Sequence, residues 1–306
     1  MSDFIDPRLT ERRNPGSLHV DTASSLEIVD LINAADATVA PAVARARVEI
    51  ARAIDLIEHA FRNGGHLFYV GAGTSGRLGV LDASECPPTF RTPPGMVVGI
   101  IAGGYPALVK PAEGAEDDVN AGIAAMDTHG VAANDVVVGI AASGTTPYVR
   151  AALGRAQALG AQTIFLSSSE PPQLLKDTCD VCITVLTGPE IVTGSTRMKA
   201  GTATKLVLNT LTTGAMIRLG KVYGNLMVDL QTWSDKLVDR GERIVMETAG
   251  VPRALARQAI DDAAGSVKLA IVMVRRGVGK EEAERLLAEH QGRLREVVGD
   301  PPSVTP

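Results

Sequence analysis

The sequence predicts an α/β fold: a doubly wound, five-stranded parallel sheet, with N-terminal helices before it and a small C-terminal helical domain after it. Short apolar runs alternate with helical patterns through the middle of the chain. These runs are continuous in apolar residues, as in strands of a parallel sheet that is buried on both faces. Turns rich in glycine and hydroxyl side chains follow several of the runs, at the strand ends where open α/β folds bind ligands.

Composition bounds the class of protein. The chain has 306 residues, 45% of them hydrophobic, which suffices for one large domain or for a domain with a smaller one. The net charge is -5 and aromatic residues make up 3%, which argues against nucleic-acid binding. The apolar runs are too short to span a membrane, and the first twenty residues contain no apolar stretch typical of a signal peptide. We therefore expect a cytoplasmic protein with no nucleic-acid or membrane partner.

The N-terminal region, 1–64, is predicted to be an arm followed by two helices. Residues 1–24 are polar and irregular in pattern. Apolar residues then recur at helical spacing over Ser25–Ala35 and Val39–Asn63. The second pattern closes with Asn63-Gly64-Gly65, which is a typical signal for the C-terminal end of a helix.

The central region, 65–230, carries the predicted sheet. Its strands are expected at His66–Val70, Met96–Ala102, Asp135–Ala141, Gln162–Ser167 and Val181–Leu186. Of the helices that follow them, the first is expected to begin at Ser75, the second to extend through Lys110 and the third to extend through Leu159. The fourth is expected at Pro171–Lys176 and the fifth at Met198–Leu219. The first of these should stop at Pro87-Pro88, since the residue before a proline disfavours helical geometry.

The C-terminal region, 231–306, is predicted to be a small helical domain. Strand patterns cease past Asp235, and three helical segments remain. They cover Lys236–Thr248, Ala254–Arg276, where Gly265 could interrupt the helix, and Lys280–Val298.

The first strand leads into Gly-Ala-Gly-Thr-Ser-Gly, Gly71 to Gly76. Backbone N–H groups at the start of the following helix, near Gly73, favour an anion, and Thr74 and Ser75 add hydroxyl donors. The pattern also fits a dinucleotide motif, but that motif requires an acid at the end of the second strand. Because that strand ends in Ile-Ala-Gly-Gly without a carboxylate, we favour a simpler phosphate.

Two further strand ends repeat the hydroxyl-rich pattern. One places Ser143, Thr145 and Thr146 before a helix, and the other places Thr193, Ser195, Thr196 and Lys199 before the next. A single Ser or Thr in this position is usually a helix N-cap, but three such loops at one sheet edge predict a binding site. Hydroxyls with one or two cations suit a sugar phosphate, bound by Gly73, Thr74, Ser75, Ser143, Thr145, Ser195, Thr196 and Lys199.

No metal site or cofactor is expected. The chain has no Walker-type phosphate loop and no clear magnesium site. Cys179 and Cys182 form a C-x-x-C pair, but no second pair and no histidine pair accompany them. We expect these thiols to be buried and structural.

Four longer motifs carry a specific resemblance. They are DASECPPTF (82–90), EGAEDD (113–118), EIVTGSTRMKAGTATKLVLN (190–209) and GKVYGNLMVD (220–229). Over nearly its whole length the chain resembles the N-acetylmuramic acid 6-phosphate etherases, of the sugar isomerase (SIS) domain group. Glucokinase regulatory proteins share much of this signature. The resemblance implies a cofactor-free lyase that releases D-lactate from the sugar phosphate, as a homodimer whose sites lie at the subunit interface.

The resemblance also implies roles for two glutamates. Glu85 of DASECPP matches the acid that protonates the departing lactate and later helps to activate water. Glu116 of EGAEDD matches the base that removes the C2 proton, with Glu113 as its rival. Where the familiar motif reads ASGRTPYV, this chain has Thr145 in place of the arginine. Arg197 or Lys199 would then have to supply a cation.

Two questions stay open from the sequence. A straight helix from Ser75 to Glu85 carries the carboxylate about 15 Å from the glycine turn. Either the helix breaks, for instance at Gly79, or Glu85 serves a site that a second subunit completes; we favour the second. The alternative functions are a non-catalytic sugar-phosphate-binding regulator and an aldose–ketose isomerase, and neither would release lactate.

Overall fold

The computed structural model describes residue 6, residues 8–230 and residues 235–303. Of these, the residues up to Ser84 and in Gly95–Thr212 form one compact unit, which contains the parallel sheet. Glu85–Pro94 and the residues from Thr213 onward form the other. The domain boundaries after residues 64 and 230 stay a prediction, and residues 231–234 lie outside the described part of the chain.

Three helices form the N-terminal part: α1 at Ser25–Asp36, α2 at Val39–Arg45 and α3 at Arg47–Arg62. A capping box begins α1, in which the Ser24 side chain accepts from the Glu27 N–H and the Glu27 carboxylate accepts from the Ser24 N–H. The prediction of one helix over Val39–Asn63 was wrong. Ala46 has φ -91° and ψ 16°, which takes the backbone out of helical geometry and separates α2 from α3.

Five strands and five helices follow. They are β1 Leu67–Gly71, α4 Gly73–Phe90, β2 Val97–Ile101, α5 Val119–Thr128, β3 Val136–Ile140, α6 Pro147–Ala158, β4 Gln162–Ser167, α7 Gln173–Thr178, β5 Val181–Thr184 and α8 Lys199–Arg218. The strands form one sheet in the order β2-β1-β3-β4-β5, with every pair parallel. The predicted five-stranded parallel sheet is confirmed.

Helices cover both faces of the sheet. On one face, Phe68 and Val70 of β1 pack in a buried cluster with side chains of α5 and α6, among them Leu153. On the other face, Tyr69 points toward α4 and donates a hydrogen bond of 2.9 Å to the buried Asp82 carboxylate. Because successive side chains of a strand point to opposite faces, the continuous apolar runs in the sequence reflect burial on both, and the doubly wound class is confirmed.

The prediction that α4 stops at Pro87-Pro88 was wrong, because the helix runs through both prolines to Phe90. Prolines near the C-terminal end remove only two intrahelical bonds, and the Arg91 N–H still donates to the Pro87 carbonyl at 3.0 Å. Arg91 then takes a positive φ of 51°, which ends the helix.

The prediction of a helix through Lys110 was also wrong. Gly103 and Gly104 both have positive φ angles, of 83° and 68°, and a single 3₁₀ turn at Tyr105–Leu108 follows them. The helix of this connection is α5, which the sequence reading missed. Its signal is Asp118, whose carboxylate accepts from the Ala121 N–H at 2.8 Å as an N-cap.

The second unit is helical apart from a short hairpin of β6 at Val222–Tyr223 and β7 at Leu226–Met227. Its helices are α9 Asp235–Ala249, α10 Arg253–Asp262, α11 Val267–Arg276, α12 Lys280–Glu289 and α13 Leu294–Val298. The chain is interrupted near Gly265, as the sequence suggested, and the last predicted segment is two helices. Within the described residues, no helix is both long enough and apolar enough to span a membrane.

Candidate active site

The turn between β1 and α4 is tight because Gly71 and Gly76 leave no room for a side chain. A Cβ on Gly76 would lie 2.6 Å from Ile101 Cγ1 and 2.7 Å from the Gly71 carbonyl oxygen. Gly73, where α4 begins, has φ +54° and open space on its Cβ side. The turn therefore packs the start of α4 against β1 and β2 and leaves its first N–H groups facing outward.

A cavity of about 440 Å³ opens at this turn. We call it the sugar-phosphate cavity, after the ligand that the sequence predicts for it. It is lined by Arg8, Glu11, Ala72, Gly73, Thr74, Ser75, Glu116, Asp117, Ile140, Ala141, Ala142, Ser143, Thr145, Thr146, Pro147, Gly194 and Thr196. Residues after β1, after β3 and before α8 meet here, at the carboxyl ends of the strands. The three hydroxyl-rich loops singled out in the sequence all contribute.

Seven of the ten predicted site residues line this cavity: Gly73, Thr74, Ser75, Ser143, Thr145, Thr196 and Glu116. Ser195, Lys199 and Glu85 do not. Lys199 is buried, and its ammonium donates to the Thr187 carbonyl at 2.7 Å. Arg197, the other proposed cation, is exposed and does not line the cavity either.

Two helix N-termini are open toward the cavity. The first is that of α4 at Gly73 to Ser75. The second is that of α6, where Thr146 occupies the N-cap position but its side chain makes no capping bond. The hydroxyls of Ser143 and Thr145 lie 3.2 Å apart in the same loop. Hydroxyl donors beside two positive helix ends suit a phosphate.

The N-terminus of α8 is closed by a carboxylate. Glu190 is fully buried and accepts hydrogen bonds from the N–H groups of Lys199 at 3.1 Å and Ala200 at 2.9 Å. Burial raises the pKa of Glu190, although these two bonds act in the opposite direction. Because its first N–H groups already have an acceptor, this helix end is not available to a ligand.

Acidic residues also line the cavity. Glu116 and Asp117 lie in a 3₁₀ turn, Ala115–Asp117, which follows Gly114 in the left-handed conformation. Glu113 precedes this turn and lines a second cavity, whereas Glu116 lines both. The sequence left Glu113 as the rival of Glu116 for the role of the base, and the turn places only Glu116 at the sugar-phosphate cavity.

Sequence reasoning missed the contribution of the N-terminal segment. Thr10 is buried, its N–H donates to Ser169 Oγ at 3.4 Å, and its carbonyl accepts from the Gly194 N–H at 3.3 Å. This anchors Arg8, the one cation among the described residues that line the sugar-phosphate cavity. Arg8 pairs with Asp6 at 2.7 Å and lowers the pKa of Asp6 to about 2. Its sequence signal was its position just before LTERRNP.

Glu85 lies further along α4 and is exposed. The helix does not break at Gly79; a Cβ there would lie 2.8 Å from Tyr69 Cβ, so this glycine serves close packing instead. Gly73 and Glu85 are twelve residues apart on one continuous helix, a rise of about 18 Å. Among the described residues, no group of three or more His, Cys, Asp or Glu side chains is placed to hold a metal ion.

Comparisons with known proteins give a consistent result. The model of the glucokinase regulatory protein N-terminal SIS domain matches residues 49–157. The N-acetylmuramic acid 6-phosphate etherase of Edwardsiella ictaluri is 52% identical over 295 residues, covering 96% of this chain and 98% of that one. The etherase of Nostoc punctiforme is 52% identical over 290 residues, covering 95% and 94%.

The similarity of this chain to solved structures is weaker. A phosphoheptose isomerase from Francisella tularensis is 18% identical, with a TM-score of 0.46, and the match covers 64% of this chain and all of that one. The curated relatives, by contrast, match at half of all positions along almost the full length of both chains. This chain belongs to the N-acetylmuramic acid 6-phosphate etherase family.

Proposed function

We propose that this protein cleaves the D-lactyl ether of N-acetylmuramic acid 6-phosphate, giving N-acetylglucosamine 6-phosphate and D-lactate, in the recycling of cell-wall amino sugars. It is then a carbon–oxygen lyase. The observation that carries the proposal is the sequence identity of 52%, over 96% of the chain, to an N-acetylmuramic acid 6-phosphate etherase. The hydroxyl-lined cavity that contains Glu116 supports it, because it offers both an anion site and a base.

The phosphate would bind at the N-termini of α4 and α6. There the N–H groups near Gly73 and the hydroxyls of Thr74, Ser75, Ser143 and Thr145 line one cavity. Helix N-termini bind dianions without a metal, because the dipole and the unpaired N–H groups act together. Arg8 adds the one positive side chain among the described residues that line this cavity.

Carboxylates would carry the two proton transfers. In the open-chain aldehyde, Glu116 takes the C2 proton, the C3–O bond breaks, and Glu85 protonates the oxygen of the departing lactate. An unsaturated aldehyde remains. Water then adds to C3 while Glu85 takes back a proton from it, and Glu116 returns a proton to C2. Both carboxyl groups end in their starting states, and one water is consumed for each lactate released.

Glu85 would act from a second copy of the chain. A rise of about 18 Å between Gly73 and Glu85 along α4 is too long for one chain to bring both to a single sugar. A homodimer with shared sites removes this difficulty. A cytoplasmic location is part of this proposal.

The test is D-lactate release from N-acetylmuramic acid 6-phosphate by the purified protein. In H₂¹⁸O, the label should enter the C3 hydroxyl of the sugar and not the lactate, because the C3–O bond breaks. In D₂O, deuterium should enter C2. A regulator or an isomerase would bind the sugar phosphate without releasing lactate. A purified protein that releases no lactate would therefore exclude the etherase reaction. Label found in the lactate would exclude this mechanism.

Shared sites have a separate test. Glu85→Gln and Glu116→Gln chains should each be inactive. Each mixed dimer formed from the two should regain one intact site of its two, which is half the activity of a wild-type dimer. Mixtures that stay inactive after subunit exchange would rule out the shared site while leaving lactate release as evidence for the reaction. A Glu281→Gln chain is the matched control and should keep its activity, because Glu281 of α12 is exposed and lines neither of the two cavities.

A further inference from the structure

A second cavity adjoins the sugar-phosphate cavity. It has a volume of about 280 Å³ and is lined by Ala72, Gly73, Arg77, Ala102, Ala107, Pro111, Ala112, Glu113, Gly114, Ala115 and Glu116. Three of these residues, Ala72, Gly73 and Glu116, also line the sugar-phosphate cavity. The two spaces therefore meet at Gly73 and at the glutamate proposed as the base.

The second cavity differs from the first in chemistry. Most of its wall is small and apolar, with five alanines, and its charged lining residues among those the structure describes are Arg77, Glu113 and Glu116. Arg77 is half-buried, and its Nε donates to the Leu108 carbonyl at 3.0 Å. That bond fixes one edge of the guanidinium and leaves both terminal nitrogens for a ligand. No carboxylate pairs with Arg77 among the described residues.

The substrate of the proposed reaction carries two anions, a phosphate at C6 and a lactyl carboxylate attached at C3. We propose that Arg77 binds the lactyl carboxylate in the second cavity, so that the two adjoining cavities divide the substrate's two anions between them. This inference rests on the proposed function. A planar guanidinium with two free nitrogens matches a carboxylate in a bidentate pair.

The position of Glu116 supports this arrangement. C2, from which the base takes its proton, is the neighbour of C3, which bears the lactyl group. With the phosphate among the hydroxyls of the first cavity, a base that lines both cavities faces C2 when the C3 substituent enters the second. The methyl group of the lactyl moiety then contacts the alanine wall formed by Ala107, Ala112 and Ala115.

The product distinguishes this role from phosphate binding, because N-acetylglucosamine 6-phosphate keeps the phosphate and lacks the lactyl group. We expect Arg77→Met to raise the KM for N-acetylmuramic acid 6-phosphate by about 10- to 100-fold, the range for a charge-assisted pair. The inhibition constant of N-acetylglucosamine 6-phosphate should change by less than about 2-fold. Arg150→Met, which removes an exposed arginine outside both cavities, is the matched control and should change neither.

A second substrate guards against a general loss of structure. The lactyl amide of the substrate has no carboxylate charge, so wild type should use it about 10- to 100-fold less well than the acid, whereas Arg77→Met should treat the two alike. An equal rise in the KM and in the product inhibition constant of Arg77→Met would overturn this inference and leave the proposed function standing. An Arg77→Met protein that still prefers the acid to the amide would do the same. A wild-type protein that releases no lactate from the acid would overturn the proposed function, and this inference with it.

Discussion

Gly76→Ala tests whether the tight start of α4 makes the anion site. The new Cβ would lie 2.6 Å from Ile101 Cγ1, 2.9 Å from Ile101 Cβ and 2.7 Å from the Gly71 carbonyl oxygen. Carbon atoms in ordinary contact are about 3.5–4.0 Å apart, so α4 must move away from β2 by about 0.9 Å or more. Neither the Gly71 backbone nor the branched stem of Ile101 can turn aside as a flexible chain end would.

The magnitude follows from two opposing effects. Overpacking of this kind costs about 1–3 kcal/mol, while replacing a helical glycine by alanine stabilises by about 0.5–1 kcal/mol. We expect the free energy of unfolding to fall by roughly 1–2 kcal/mol, which corresponds to a drop in Tm of about 2–8 °C. Since Thr74 and Ser75 move with the helix, kcat/KM for lactate release should fall by about 10- to 100-fold.

A matched control makes the result interpretable. Gly154→Ala introduces the same methyl group into α6, where its Cβ meets nothing within 4 Å, so this variant should be slightly more stable than wild type and fully active. The assays are thermal unfolding and D-lactate release. A Gly76→Ala protein as stable as the Gly154→Ala protein would refute the packing argument, and one that is destabilised yet fully active would refute the link to the anion site.

Three further predictions concern charge. Thr145→Arg should lower the KM by about 2- to 10-fold, because it adds a cation to the sugar-phosphate cavity; Thr145→Met is the uncharged control, and an unchanged or higher KM would contradict it. Arg8→Met should raise the KM and the product inhibition constant together, and an effect on only one would show that Arg8 does not serve the phosphate. Burial raises the pKa of Asp82, although the hydrogen bonds that its carboxylate accepts act in the opposite direction. The contribution of Asp82 to stability is therefore present below about pH 4 and is lost as the pH rises. The Tm of wild type relative to Asp82→Asn should therefore fall with rising pH, and a difference that grows instead would reverse the sign of this argument.

The sheet could be predicted from the sequence because its signals are local. The strands are short runs rich in apolar residues, and β4 lies at its predicted bounds, Gln162–Ser167. The errors arose where tertiary packing or a single backbone angle decides the outcome. No periodic pattern marks the passage of α4 through Pro87-Pro88 or the break at Ala46 between α2 and α3. The backbone angles of single residues decide whether a helix continues or ends there.

The candidate site was predictable in its loops but not in its charges. Hydroxyls next to glycines at strand ends identified the six Ser and Thr side chains among the described residues that line the cavity. Lys199 looked equally suitable in sequence, yet it is buried against the Thr187 carbonyl. Arg8 comes to the cavity through a contact between Thr10 and Ser169, which are 159 residues apart. A contact of that range leaves no pattern in one sequence, and neither does the use of Glu190 to close the N-terminus of α8.

Charge should also influence which way round the proposed sugar phosphate binds. The residues that line the sugar-phosphate cavity include the start of α4, the start of α6 and Arg8, but also Glu11, Glu116 and Asp117. A phosphate turned toward the acids would meet them at about 4 Å, where each pair of like charges costs about 1 kcal/mol in water and about 4 kcal/mol at a protein surface. Against the helix ends the same phosphate is stabilised. We therefore expect the reversed orientation to lose several kcal/mol relative to the one that places the phosphate at the helix ends.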